Sequence, residues 1–145
     1  MIASLCGPAC GGRLFLHVLG ATLLFGGVLT VTILGFAAPR IEQHAALLRR
    51  LAFAFTLLVV WPSFVVMRVG AQLVVTAENL DKKSPRWVDV GFAVSDAGIL
   101  VLLLVTLFAW LSLRRAWAGR ALTALSAAYL VALGIAWFYM SAKPS

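Results

Sequence analysis

The chain has 145 residues, of which 63% are hydrophobic and 12% are charged, and its formal net charge is +7. A soluble protein usually carries about 25% charged residues, whereas a surface that faces lipid needs few. Four membrane crossings of roughly 20 residues each use the whole length, so the composition excludes a soluble catalytic domain and favours one transmembrane domain over residues 1–145.

The hydropathy pattern predicts an all-α fold, a polytopic membrane four-helix bundle. Its helices are expected over residues 14–36, 47–76, 85–115 and 119–141. The first apolar run is longer than the core of about 7–15 residues in a signal peptide, which indicates an uncleaved first span. Pro62 lacks an N–H and predicts a kink near the middle of the second helix. Ser84 followed by Pro85 is typical of a helix start and places the beginning of the third helix.

Positive charge collects at the predicted helix ends, where basic side chains contact lipid headgroups, so it does not indicate nucleic-acid binding. The loops after the first and third helices carry six arginines: Arg40, Arg49, Arg50, Arg114, Arg115 and Arg120. The opposite side carries five basic residues: Arg13, Lys82, Lys83, Arg86 and Lys143. Under the positive-inside rule this difference predicts a multi-pass protein of the bacterial inner (cytoplasmic) membrane with both termini outside.

Four polar residues predict an intramembrane cluster. Arg68 and Asp96 each interrupt an apolar run. The second and third helices are antiparallel, and at 1.5 Å per residue both side chains lie at a similar depth below one interface. Gln72 follows Arg68 by one turn, and His17 lies near the start of the first helix on the same side. Ionisable residues in spans tend to pair or face a cavity. Alternatively, Arg68 snorkels to the headgroups and Asp96 lies near the interface.

His17 shares one face of the first helix with Gly20 and Gly27. Glycines at this spacing let another helix approach closely, so both are candidate packing residues. A histidine on such a face bonds to a neighbouring helix or to interfacial water, ligates haem or copper, since imidazole suits both, or handles protons. Met140 is a weak candidate for a second metal ligand.

Cys6 and Cys10 form a Cys-x3-Cys pair near the N-terminus and are further weak candidates for a metal or redox role. Their spacing differs from that of thioredoxin-like sites and of haem-attachment motifs. The chain has no phosphate-binding glycine loop, no zinc-protease motif and no Ser-His-Asp set. The catalytic residues are therefore unknown, and we expect a protein that is not an enzyme.

Two short stretches carry a family resemblance. Leu16–Gly20 (LHVLG), followed by Phe25–Gly27 (FGG), resembles the first helix of a bacterial family of predicted four-span integral membrane proteins of unknown function. The ending Ala136–Pro144 (AWFYMSAKP) is similar to the close of that family's last helix. The resemblance implies the fold and no activity.

The first-helix pattern is also loosely similar to copper-resistance membrane proteins and to haem-dependent membrane oxidases of porphyrin synthesis. That similarity implies a metal or haem role for His17. The chain departs from these groups because its other spans contain no histidine.

Three functional hypotheses follow. The preferred one is an accessory or assembly subunit of a larger membrane complex, with a membrane protein or a second copy as partner within the lipid bilayer. The second is a membrane redox or metal-handling protein that binds haem or copper through His17. The third is a small oligomeric transporter with a polar path at Arg68 and Asp96.

Overall fold

The computed structural model describes residues 8–77 and 86–142. Within these residues the chain is all-α, and four helical segments are long and apolar enough to cross a bilayer. These segments are Gly11–Ala37, Glu42–Ala77, Val88–Ser112 and Ala116–Ala142. The protein is therefore a multi-pass membrane protein, and the predicted all-α four-helix fold is confirmed.

The bounds of the helices differ from the predicted ones mainly at the first span and at the last loop. The helices are α1 (Pro8–Ala37), α2 (Ala45–Phe55), α3 (Trp61–Ala77), α4 (Arg86–Ser112) and α5 (Ala116–Ala142). Helix α1 is already formed at Pro8, the first residue that the structure describes, so it extends further towards the N-terminus than predicted. Helix α4 ends at Ser112, before residue 115, because the N–H groups of Arg114 and Arg115 both donate to the Leu111 carbonyl and turn the chain. The start predicted at Ser84 and Pro85 lies outside the described residues.

The second span is continuous but irregular. A 3-10 turn (Glu42–His44) precedes α2, and a π-helical turn (Thr56–Val60) joins α2 to α3. The N–H of Trp61 donates to the carbonyl of Thr56, five residues earlier. The ring of Pro62 would clash with the carbonyl four residues before it in a regular helix, and a wider π turn relieves that clash. The irregularity predicted at Pro62 thus takes the form of a π turn on its N-terminal side.

Helix α1 is the centre of the bundle, since it packs against α3 on one side and against α5 on the other. Helix α4 packs against α5, against α2 and against the π turn. The indole Nε1 of Trp61 donates to the Thr106 hydroxyl at 2.9 Å and ties the second span to α4. Elsewhere α3 and α4 are linked by long side chains, and their backbones lie further apart than those of the other packed helices. The bundle is therefore closed at the end that carries the six arginines, here called the basic end, and is open between α3 and α4 at the opposite end.

The core and the outer surface are equally apolar. Leu24, Leu102 and Leu122 are fully buried at the centre. On the outer faces, the side chains of Leu58 and Leu100 are 76% and 67% exposed. Apolar side chains exposed to this extent along whole helices suit a surface surrounded by hydrocarbon rather than by water.

Candidate functional site

Helices α1 and α3 touch backbone to backbone at a reciprocal pair of glycines. Gly20 lies against the backbone of Met67, and Gly70 lies against the backbone of His17. A Cβ atom added at either glycine would lie 2.7 Å from the opposing Cα atom. Gly27 lies against Val60 of the π turn, where an added Cβ would be 3.1 Å from a side-chain carbon. Small residues allow this close approach in membranes, so the crossing fixes His17 against α3.

His17 is half-buried and bonded across this crossing. Its Nδ1 atom lies 3.0 Å from the carbonyl oxygen of Met67. A carbonyl oxygen only accepts hydrogen bonds, so Nδ1 carries the proton and, in the neutral ring, Nε2 keeps its lone pair. The bond matches the structural alternative for His17, a link to a neighbouring helix. It is also the arrangement that orients metal-binding histidines, whose second nitrogen donates to a carbonyl or carboxylate.

The structure brings Arg68 and Asp96 together across the opening between α3 and α4. Nη2 of Arg68 donates to Oδ1 of Asp96 at 2.6 Å. The guanidinium carbon lies 4.6 Å from the centroid of the Phe92 ring, which stacks beneath it. The Nη1 atom is buried and lacks a hydrogen-bond partner among the described residues. The arginine is thus held by its carboxylate and by an aromatic face.

The ion pair lies on the outside of the bundle. The side chain of Asp96 is 62% exposed and that of Arg68 is 31% exposed. Asp96 lies about 12 Å of helix axis beyond Val88, the first residue of the apolar span in α4. A charged pair therefore faces outwards at a depth where the surroundings of a lone chain would be lipid.

The other predicted site residues stay apart from this pair. Gln72 is exposed on α3 one turn beyond Arg68, and its backbone carbonyl accepts a hydrogen bond from the Thr76 hydroxyl. The methyl group of Met140 packs on Gly91 of α4, where an added Cβ would overlap it. Cys6 and the side chain of Cys10 lie outside the part of the chain that the structure describes. Within residues 8–77 and 86–142, no three His, Cys, Asp or Glu side chains are grouped to hold a metal ion.

Sequence reasoning missed Phe92 and Ala93. Phe92 lies four residues before Asp96, which places both on one face of α4, and that spacing could have identified the ring beneath the guanidinium. Ala93 lies one turn before Asp96 and is exposed, so the helix surface beside the carboxylate carries a small side chain there. Alanine is frequent in apolar spans, and its position gave no signal in the sequence.

Comparison of the chain with protein-family models, with curated proteins and with solved structures finds no match. The resemblance to a bacterial four-span family stays a prediction. The function is therefore argued from the residues themselves.

Proposed function

We propose that the protein is an accessory or assembly subunit of a larger complex in the bacterial inner membrane, and that it docks on its partner through the Arg68–Asp96 pair. The observation that carries this proposal is the position of the pair on the outer surface at bilayer depth. Ionisable side chains in spans are costly and almost always face protein or water rather than lipid. A partner that covers Asp96 supplies the missing protein surface.

The exposed carboxylate defines what the partner must offer. One oxygen of Asp96 accepts from Arg68, and an ionised carboxylate has further lone pairs to fill. The occupant is a transmembrane helix of the partner protein that carries a hydrogen-bond donor at this depth. Ala93 and Ala97 are exposed beside the carboxylate, and small residues let a second helix approach closely.

The first experiment is a native mass spectrum of the tagged protein, extracted gently from the membranes of its own host. We expect the mass of the chain within a larger assembly that contains at least one other membrane protein. A bare monomer, or a homodimer with no other protein, contradicts the accessory role.

The docking site is tested by Asp96→Asn in the same purification through the tag, with Asp89→Asn as the matched control. Both residues are exposed on α4, and both substitutions remove one negative charge. Interhelical polar contacts in membranes contribute about 0.6–2 kcal/mol, so Asp96→Asn should lower partner recovery roughly 3- to 30-fold. Equal recovery for the two variants would refute docking at the pair.

The second candidate function is a haem or copper protein, and the bond from His17 to Met67 favours it. The bond leaves Nε2 of His17 as a potential ligand atom with a fixed ring orientation. One imidazole is an incomplete ligand set, so the group would be shared with a second chain. An optical spectrum without a Soret band, together with less than stoichiometric copper in the purified protein, rejects this function. The transporter alternative has no separate support, since the pair faces outwards.

A further inference from the structure

A cavity of about 210 Å³ opens at the basic end, between the end of α1, the first turns of α2 and the turn that joins α4 to α5. Two basic residues, Arg49 and Arg120, are among the residues that line it. The volume equals that of roughly seven water molecules.

The charge around this cavity is strongly positive and unbalanced. The basic end carries six arginines and a single carboxylate, Glu42. The structure describes every residue of this end, from the close of α1 to the first turns of α2 and from the end of α4 into α5. Among the described residues, neither Arg49 nor Arg120 has a carboxylate within 4.0 Å. Two arginines that line one cavity without an acidic partner there are suited to an anion from outside the chain.

The other arginines of this end differ from the two in the cavity. Arg40 lies over the Phe36 ring and donates to the Phe36 carbonyl, and Arg114 lies over the Trp110 ring. Trp117, at the wall of the cavity, packs edge-on against Phe108. Tryptophan prefers the headgroup level of a bilayer, which places the cavity where lipid phosphates lie.

We propose that this cavity binds the phosphate group of an anionic membrane lipid. The forked guanidinium groups of Arg49 and Arg120 suit phosphate oxygens, which they contact in pairs. The apolar outer faces of the helices continue from the cavity and accommodate the acyl chains. This inference is independent of the proposed function.

The test is a native mass spectrometry titration of the full chain in detergent with dioleoyl phosphatidylglycerol and, separately, dioleoyl phosphatidylcholine. We expect one phosphatidylglycerol to bind at least about tenfold more tightly than phosphatidylcholine. Replacing both cavity arginines, Arg49→Gln with Arg120→Gln, should weaken that binding about 10- to 30-fold, since each basic residue near a headgroup contributes roughly fivefold. The matched control is Arg50→Gln with Arg115→Gln, which removes the same charge from exposed positions outside the cavity and should change binding less than about threefold.

Two results would overturn the assignment. Equal weakening in the cavity and control variants would mean that the positive end attracts lipids diffusely. A shift in melting temperature with inorganic phosphate alone, lost in the cavity variant and without any lipid preference, would assign the cavity to free phosphate. If the double variant does not fold, the single Arg120→Gln, at an exposed side chain, gives the same comparison against Arg115→Gln.

Discussion

At the scale of single residues, the α1–α3 contact depends on two glycines that the chain uses in the same way. Gly20 lies three residues after His17, and Gly70 lies three residues after Met67. Gly20 contacts Met67 and Gly70 contacts His17, so the two pairs face each other. A spacing of three residues keeps both positions on one face of a helix. The bond from His17 to the Met67 carbonyl forms only because the two backbones are this close.

Replacing Gly70 with alanine should destabilise the protein. The added Cβ would overlap the backbone of His17, and such overpacking costs about 1–3 kcal/mol of unfolding free energy. Gly26→Ala is the matched control, because nothing lies within 4 Å of its added Cβ and alanine favours helix by up to ~1 kcal/mol. Unfolding in mixed detergent micelles measures both. Equal stability of the two variants would show that the crossing relaxes freely.

The Arg68–Asp96 contact should appear as a coupling free energy in a double-mutant cycle. Arg68→Ala and Asp96→Asn, alone and together, are unfolded under the same conditions. We expect the double variant to lose about 0.5–2 kcal/mol less than the sum of the single losses. Strictly additive losses would exclude direct contact.

The sequence predicts the meeting of Arg68 and Asp96 but not the direction in which the pair faces. Depth follows from counting residues along two antiparallel helices. Direction does not, because the residues around the pair are apolar on every side, whether they face lipid or protein. For the same reason the cavity at Arg49 and Arg120 was not predicted, although all six arginines were placed at the correct helix ends.

At the scale of helices, the π turn explains how the second span contains a proline without being broken. Hydropathy predicted the existence of each span, since an apolar run of this length has few alternatives. It did not predict the π turn. A π turn differs from α-helix by one inserted residue, and any apolar residue can occupy that position. Proline supplied the only local signal, and it marks the position rather than the geometry.

Removing one residue from the π turn should be tolerated, provided that the proline is replaced as well. Deletion of Leu58 together with Pro62→Ala converts the wide turn into regular α-helix and leaves the faces of α2 and α3 aligned. Deletion of Leu100, which is equally exposed but lies in regular helix, turns the rest of α4 by about 100° and moves Leu102 and Val105 out of the core. We expect folded protein by size-exclusion chromatography only from the first variant. If neither variant gave folded protein, the π turn would not be a site that tolerates the deletion of a residue.

At the scale of the whole molecule, the two ends of the bundle have different characters. The basic end is closed, strongly cationic and holds the cavity, whereas the other end is open between α3 and α4 and presents the ion pair. The order of packing around α1 was not predictable, because in lipid the core and the surface share the same apolar composition. The charge asymmetry was predictable, since basic residues concentrate at helix ends.

The basic end should face the cytoplasm. We expect an alkaline phosphatase fusion after residue 145 to be active, because six arginines hold the opposite end inside. A green fluorescent protein fusion at the same position should be dark if export is through the general secretory route. The reverse pattern would place both termini inside and would put the cavity among the lipids of the outer leaflet.

Arg68 and Asp96 are 28 residues apart in the chain, and this separation sets an order of events during synthesis. At about 5–20 residues per second, roughly 1–6 seconds pass between the two residues. In that interval the growing chain holds an arginine in its second span before the compensating carboxylate exists. An arginine within a span raises the insertion free energy, by at most about 2.5–3.5 kcal/mol when it lies at the centre. A ribosome that stalls in this interval would leave a two-span fragment with an unmatched charge, which membrane proteases would be expected to remove.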